Sequence, residues 1–432
     1  MSSVFEADES LVARSTMRKA GRRLLPLLGV GYGIAYMDRV NISFAALEMN
    51  RDLHFSATAY GLGAGLFFVS YAICEIPSNI LMVRVGARRW LARIMLTWGL
   101  LAAAMMLVRT PAQFYAARFL LGVAEAGFFP GIIFYLTQWF PARMRARAIS
   151  RFYIALPLSS VVMGGIAGAL LNLDGTLGLA GWQWLFLVEG LPAVLMSMVF
   201  LRFLPDTPAD AAWLSVEERD WLLRCLQAEE TSAAEASHGE ALSALANKNT
   251  WLMGLFMLFM LAGLYAYTFS GPIIVRDATG FSPSGTGFII AAIGLLQAVS
   301  MLWAASHADR AGERFWHIVI PCAVMAAGFL LSGLTHSALL VVPSLAAAAI
   351  AYCAMQGPLW AFASGLAGRS GAAVGIAAMN MIGMCGGFLG PYWMGRMHDL
   401  THNYQRALMT AAIAPMICIA LLYAMRPKGT AM

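Results

Sequence analysis

The sequence is dominated by apolar runs of about 20 residues, each bounded by charged residues, proline or glycine. A helix needs about 20 predominantly apolar residues to cross a bilayer, so each run predicts one transmembrane span. Twelve spans are predicted, near residues 24–45, 56–79, 90–108, 113–136, 148–171, 184–203, 250–270, 285–305, 316–333, 339–363, 372–395 and 404–425. Only 12% of the residues are charged, about half of what soluble domains carry. We therefore expect an all-α membrane protein whose surface faces a lipid bilayer.

The basic residues do not indicate a nucleic-acid partner, although the formal net charge is +6. Lys and Arg form short clusters between the apolar runs and do not build one continuous basic face. If the N-terminus is cytoplasmic, 22 of the 29 basic residues lie on the cytoplasmic side and five lie on the opposite side. Cytoplasmic loops of membrane proteins are enriched in positive charge, so both termini are predicted to be cytoplasmic.

A polar stretch divides the spans into two sets of six. The predicted segments are an N-terminal tail, a first six-helix bundle, a cytoplasmic linker, a second six-helix bundle and a C-terminal tail, at 1–23, 24–203, 204–249, 250–425 and 426–432. In the linker, Ser215 and Glu218 form a capping-box pattern that predicts a short surface helix. The loop at 83–89 is similar to the loop at 309–314, at the same place in the second set. Two parallel six-helix repeats are typical of transporters, whose substrate site lies between the repeats near the midplane.

Four charged residues fall inside the predicted spans of the first half. Asp38 and Arg39 are adjacent in the first span, and Arg118 and Glu125 lie two helical turns apart in the fourth. A charge at the bilayer centre costs at least about 2.5–3.5 kcal/mol, so each of these residues needs a partner or a function. One interpretation is structural ion pairs between the first and fourth spans. The other is a carboxylate that alternates between a paired and a protonated state and so couples a proton to a substrate.

Two further acidic residues, Glu75 and Glu189, are expected near the membrane surface in structural roles. Arg39 bears on the sign of the substrate, because a guanidinium in a midplane cavity can donate two hydrogen bonds to one carboxylate. An anionic substrate is therefore expected.

Five segments resemble one transporter family over essentially the whole chain from about residue 24. They are Asp38–Ser43, Glu75–Asn79, Arg118–Pro130, Gly181–Pro192 and Gly375–Pro391. On these residues the chain resembles the major facilitator superfamily, and within it the anion:cation symporter group, which includes bacterial transporters for tartrate, hydroxyphenylacetate and galactonate. The resemblance implies proton-coupled uptake of a small organic carboxylate, such as an aromatic or hydroxy acid or a tartrate-like dicarboxylate, by alternating access. It also implies a multi-pass protein of the bacterial cell inner membrane.

The resemblance further implies residue roles. The proton-coupling residues would be Asp38, Glu125 and Arg118, and the substrate-binding residues would be Arg39, Tyr36, Tyr71, Trp360 and Asn380. The gating-loop residues would be Arg84, Arg88, Asp309 and Arg310. Two positions depart from the pattern of sugar-acid members, namely the apolar run 156–158 in the fifth span and Leu359 before Trp360. Fewer polar groups in the cavity would favour a flatter or more apolar acid.

Other function classes find less support in the sequence. The histidines and cysteines are scattered without the spacing of a metal site, and no phosphate-binding loop is present, so no metal, no cofactor and no enzyme activity are expected. The expected partners are an organic anion, protons and the lipid bilayer, and the chain is expected to act as a monomer. Two alternatives stay open: an exporter or exchanger of amphipathic compounds, and a membrane sensor that does not transport.

Overall fold

A computed structural model of the chain describes residues 2–153, 155–234, 247–366 and 372–425. Within these ranges all regular secondary structure is helical. The helices of the first half are α1 Ser2–Asp52, α2 Ala57–Val85, α3 Ala87–Ala104, α4 Pro111–Glu125, α5 Phe128–Thr137, α6 Ala142–Tyr153, α7 Ala155–Leu171 and α8 Gly181–Phe203, and α9 Val216–Ala234 follows in the predicted linker. The second half contains α10 Lys248–Thr279, α11 Pro283–Ala311, α12 Trp316–Gly333, α13 Ala338–Leu366, α14 Ala372–Thr401, α15 Tyr404–Ala411 and α16 Ile413–Met425. Short 3-10 turns lie at Met105–Leu107, Thr176–Gly178 and Pro208–Asp210. Residues 235–246 of the linker, Arg369 and the tail 426–432 lie outside the described residues.

Ten helical segments of the described chain are long and apolar enough to cross a membrane. They coincide with ten of the twelve predicted spans, and the chain is a multi-pass membrane protein. The other two predicted spans, the first and the eleventh, lie within α1 and α14, which are not among the ten. In α1 the polar residues Asp38, Arg39 and Asn41 interrupt the apolar segment.

The buried apolar side chains form two clusters, one for each half. The first cluster is built almost entirely from α1–α9 and the second from α10–α16. Three buried residues of α10 belong to the first cluster: Leu264, Tyr265 and Phe269. The middle of α10 therefore packs into the first half, and the other side chains of this helix pack in the second.

The two halves meet where small residues allow helices to approach closely. Along α2, a Cβ added at Gly61 would lie 2.2 Å from the carbonyl oxygen of Pro391 on α14. On the other side, α7 meets α11, where a Cβ at Gly164 would lie 2.6 Å from the carbonyl oxygen of Gly287. Small residues at helix interfaces let backbones pack by van der Waals contact within a membrane.

These contacts hold one end of the molecule closed. The Asp399 carboxylate of α14 accepts hydrogen bonds from the backbone N–H groups of Ala57 and Thr58, at 3.1 and 2.8 Å, and so caps the start of α2. The Asn172 amide at the end of α7 donates to the Ser284 hydroxyl at the start of α11, at 2.9 Å. We call this region the closed end; it is the side that the charge distribution predicts to be extracytoplasmic.

The predicted capping box is confirmed. The backbone N–H of Ser215 donates to Glu218 at 2.9 Å, and the backbone N–H of Glu218 donates to the Ser215 hydroxyl at 3.2 Å. Glu218 also accepts hydrogen bonds from Lys19 and Ser15, which fasten α9 to the start of α1. Burial alone would raise the pKa of Glu218, but the hydrogen bonds from Lys19, Ser215 and Ser15 outweigh it and lower the pKa to about 2. The contact is therefore charged at neutral pH.

The Asp399 cap is expected to stabilise the closed end. In Asp399→Ala the start of α2 loses the cap that α14 of the other half provides. The loss destabilises the closed end by about 1 kcal/mol, which raises the ratio of open to closed molecules roughly fivefold. Spin labels at the exposed positions Arg51 and Arg406 should then show a longer distance distribution by electron–electron double resonance.

The matched control is Asp210→Ala. Asp210 accepts a hydrogen bond from the backbone N–H of Thr207 at 3.1 Å, but both residues belong to the linker. The label distances should not change in this variant. Unchanged distances in Asp399→Ala would show that the cap does not hold the halves together.

Candidate functional site

Asp38 points into the interior of the first half. Its carboxylate accepts hydrogen bonds from the Trp98 indole N–H at 2.8 Å and from the Asn41 amide at 3.2 Å. Only 1% of its surface is exposed. These neutral donors from α3 and α1 fix the orientation of the carboxylate, and no cation of the described residues is bonded to it.

Arg39 points in a different direction, because adjacent residues of a helix project about 100° apart. Its guanidinium forms a buried ion pair and hydrogen bond with Glu125 of α4. It also lies 5.3 Å from the ring centroids of Phe67 and of Tyr71, both on α2. Arg39 and Glu125 are each about 14 residues from the closed end, about 21 Å at 1.5 Å per residue. The pair is therefore deep within the membrane-spanning region.

Glu125 is held at a break in the fourth span. α4 ends at Glu125, and α5 begins at Phe128. Between them Gly127 takes the left-handed conformation, with φ of 84°. A Cβ at this position would lie 2.4 Å from the Ser78 hydroxyl, so the turn needs glycine both for its conformation and for space. Discontinuous helices are a common way to build sites at the membrane midplane.

Arg118 is buried and forms no ion pair with a carboxylate of the described residues. It is 1% exposed, and its Nε and Nη2 atoms have no hydrogen-bond partner among the described residues. Its guanidinium lies 4.9 Å from the Phe67 ring, on which Arg39 also packs. The Phe67 ring therefore lies within cation–π distance of both buried cations, which stabilises each of them.

Tyrosines from both halves surround the Arg39–Glu125 pair. Tyr71 contacts Arg39, and Tyr265 of α10 lies beside it. Tyr36 lies near Tyr265 and near Tyr352 of α13. Two more ring residues complete the cluster on the first half: Tyr32 and Tyr153, whose centroids are 6.1 Å apart. Hydroxyl groups from both halves thus meet at one buried ion pair.

Of the substrate-binding residues predicted from the sequence, the structure brings Arg39, Tyr36 and Tyr71 together. Trp360 packs against the core of the second half, and Asn380 is half-buried on α14. Among the described residues, neither side chain has a hydrogen bond or ring contact with Arg39. The sequence interpretation missed Tyr32, Tyr153, Tyr265 and Tyr352; the signal available was a tyrosine inside an otherwise apolar run, which is too common in membrane helices to select these four.

The expectation of a less polar cavity stays a prediction: Leu359 is fully buried in the second core, Leu158 is 53% exposed and Leu156 packs against the first core. One expectation about depth is wrong. Glu189 is not near the surface: it lies about 12 Å along α8 from Gly181 and is 5% exposed. Both of its carboxylate oxygens lack a hydrogen-bond partner within the described part of the chain.

The predicted gating-loop residues lie at the end opposite the closed end. Arg84 is exposed, and Arg88 contacts Asp206, with Nε 3.5 Å from a carboxylate oxygen. Arg310 donates from Nε to the Ser306 carbonyl of its own helix at 3.1 Å. The side chain of Asp309 lies outside what the structure describes. Their gating role stays a prediction.

Comparison with known proteins gives one consistent result. The sequence profile of the Major Facilitator Superfamily matches residues 28–391. A protein of Agrobacterium vitis named as a candidate tartrate transporter is 44% identical over 396 residues, which cover 92% of this chain and 88% of the relative. A quinolone resistance transporter of Acinetobacter baumannii is 36% identical over 415 residues, 96% of each chain. The crystal structure of a bacterial homologue of the lysosomal transporter Spinster has a TM-score of 0.78 at 16% identity and covers 94% of this chain and 96% of that one.

The helix break at Gly127 is expected to be needed for stability. In Gly127→Ala the left-handed conformation costs roughly 1–2 kcal/mol, and the new methyl group must displace Ser78. Thermal unfolding in detergent should therefore give a lower Tm. Gly165→Ala is the control, because Gly165 is helical with no atom within 4 Å of the added Cβ, and its Tm should be unchanged or slightly higher. Equal Tm values for the two variants would contradict this account of the break.

Proposed function

The chain belongs to the Major Facilitator Superfamily, and on this premise we propose that it is a proton-coupled symporter for a small organic carboxylate. Family membership makes it a multi-pass membrane transporter of small molecules and not an enzyme. Coupling, direction and cargo are the parts of the proposal that go beyond the family.

The observation that carries the proposal is the Arg39–Glu125 ion pair. Glu125 is bound to the guanidinium group that an anionic substrate would need. Arg39 can donate two parallel hydrogen bonds to only one carboxylate at a time in a good geometry. Breaking a buried ion pair by leaving one charge unpaired costs about 3–5 kcal/mol. A substrate carboxylate can therefore replace Glu125 cheaply only if Glu125 takes up a proton as it leaves. Substrate binding and proton binding are thus linked at one residue.

Charge balance sets the number of protons. The charges of Arg39, Arg118, Asp38 and Glu125 cancel when all four are ionised. A monoanion that enters with one proton on Glu125 keeps this balance, and a dianion needs a second proton. Asp38 is buried, has no bonded cation among the described residues and is the second carboxylate of this set. Arg118 has two donor atoms without a partner in the described part of the chain and is the second cation that a dicarboxylate would need.

The proposed cargo is a hydroxy acid or a tartrate-like dicarboxylate. The name of the Agrobacterium relative supports a hydroxydicarboxylate. The tyrosine hydroxyls around Arg39 support it as well, because each can donate to or accept from a substrate hydroxyl. A flatter, more apolar acid, which the apolar run 156–158 and Leu359 favour, stays an alternative cargo.

The proposed topology has twelve spans, with α1 and α14 as the first and eleventh, and both termini in the cytoplasm of a bacterium. The closed end then faces the periplasm. The proposed units are the two six-helix bundles 24–203 and 250–425 with the linker 204–249 between them. The chain is proposed to function as a monomer in the inner membrane.

A second candidate function is export of amphipathic compounds. It is favoured by the quinolone resistance transporter, which matches this chain over 96% of both lengths. Transport assays in proteoliposomes separate the two functions. An exporter would move an amphipathic quinolone in the direction opposite to the protons, driven by the proton gradient, and would not transport tartrate.

The coupling proposal predicts a split phenotype for Glu125→Gln. Glutamine resembles a protonated Glu125, so Arg39 is released at every pH and substrate still binds. In proteoliposomes with an imposed pH gradient, accumulation of labelled tartrate should fall by about tenfold or more. Exchange between labelled and unlabelled tartrate, which needs no net proton movement, should persist.

Glu48→Gln is the matched control. It replaces a half-buried carboxyl group on α1 of the same half, whose charged neighbours among the described residues do not include Asp38, Arg39, Arg118 or Glu125. Its accumulation should stay close to that of the natural protein. Gradient-driven accumulation that is unaltered in Glu125→Gln would sink the coupling claim.

A further inference from the structure

A cavity lies outside the site described above. Its volume is about 980 Å³, and it is a groove between α1, α6 and α7. Its floor is formed where α1 and α7 approach closely: Cβ atoms added at Gly29 and Gly33 would lie 4.0 Å from the Ala155 side chain. Its walls are apolar side chains that are largely exposed, with Val30 at 55%, Leu158 at 53% and Val162 at 45%.

The groove faces away from the second half. Contacts of α7 with α11 are made by Ser160, Gly164 and Gly168. Val162 is two residues from Gly164 and therefore projects about 200° away from it around the helix. The groove is thus on the outer surface of the first half, where a membrane protein contacts lipid.

Three arginines lie at one end of the groove: Arg18 and Arg22 on α1 and Arg151 on α6. All three are exposed. Arg18 and Arg22 are four residues apart, so they project from the same face of α1. Within the described parts of the chain, none of the three is in an ion pair or a side-chain hydrogen bond. This end of the groove therefore presents three uncompensated positive charges.

The dimensions match one class of ligand. Along α1 the groove extends from Met17 to Met37, about 30 Å at 1.5 Å per residue, and the part beyond Arg22, which is apolar, accounts for about 22 Å of this length. One leaflet contributes about half of a 30 Å hydrocarbon core, and the headgroup region adds several ångströms. The positive end thus falls at headgroup depth and the apolar walls at acyl-chain depth. The basic end of the groove also lies on the side of the membrane where most of the Lys and Arg residues are predicted to be.

We propose that this groove is a binding site for an anionic phospholipid. The three arginines hold the phosphate headgroup, and one acyl chain lies against Val30, Leu158 and Val162. Basic pockets between helices at the cytoplasmic membrane surface suit anionic headgroups, and each basic residue there contributes about a fivefold gain in affinity. A soluble organic acid would not cover the apolar walls, and a zwitterionic lipid would not match the charge. The bound lipid links α1 to α7 just before Asp38 and Arg39. This site does not depend on the proposed transport function.

The test uses the purified, delipidated full-length protein in detergent. Dioleoyl phosphatidylglycerol should raise Tm in a saturable manner, and native mass spectrometry should detect retained lipid. Dioleoyl phosphatidylcholine at the same concentration should give a much smaller effect. The triple variant Arg18→Gln, Arg22→Gln, Arg151→Gln should bind phosphatidylglycerol about a hundredfold more weakly. The control triple variant Arg14→Gln, Arg89→Gln, Arg202→Gln removes three exposed arginines outside the groove and should bind normally.

Further arms separate a lipid site from a phosphate site. Val162→Trp fills the groove at acyl-chain depth and should weaken phosphatidylglycerol binding while the three arginines remain. Glycerol 3-phosphate, which has the headgroup charge but no chain, should not raise Tm at the lipid concentrations used. Equal stabilisation by glycerol 3-phosphate or by phosphatidylcholine would overturn the proposal, and so would equal losses in the two triple variants. If the groove triple variant does not fold, phosphatidylglycerol binding by Val162→Trp and by the single arginine variants tests the proposal in its place.

Discussion

The buried ion pair between Arg39 and Glu125 is the interaction on which the rest of the site depends. Neither residue can stay charged in a low-dielectric interior without a partner, because an unpaired buried charge costs several kcal/mol. Each surrounding feature serves this constraint. The helix break at Gly127 ends α4 at Glu125, the rings of Phe67 and Tyr71 pack on the guanidinium, and Tyr265 of the second half lies beside it. In the proposed mechanism the pair separates when a proton binds Glu125 and an anion binds Arg39. Each of these two binding events favours the other.

The same constraint links the site to the closed end. Tyr265 belongs to α10, and its neighbour along that helix, Phe269, accepts a hydrogen bond at its carbonyl from the Tyr60 hydroxyl of α2 at 2.9 Å. The halves are therefore joined by α10 close to Arg39 and by Asp399 farther along. In the proposed mechanism, a substrate that rearranges Arg39 and its tyrosines acts directly on the contacts between the two halves, as alternating access requires. The candidate lipid groove borders the same segment of α1 from the outside.

Much of the fold could be predicted from the sequence, because the bilayer imposes a length and a composition on every span. Ten apolar runs are found as membrane-length helices, and the Ser215–Glu218 capping box is present as expected. Asp38, Arg39, Arg118 and Glu125 could be recognised because a charge in an apolar run is conspicuous. What could not be predicted depends on packing in three dimensions. The choice of Glu125 over Asp38 as the partner of Arg39, the burial of Glu189 and Leu359, and the tyrosines that α10 and α13 contribute are set by contacts between residues far apart in the chain.

The central claim is that a substrate carboxylate replaces Glu125 on Arg39 as Glu125 takes up a proton. Proton uptake by the purified protein in weakly buffered solution, recorded while tartrate is added, tests this most directly. The account predicts that protons are taken up in proportion to the tartrate bound, and that Glu125→Gln takes up at least one proton fewer while it still binds. Tartrate binding without proton uptake, or equal uptake by the Glu125→Gln variant, would contradict it.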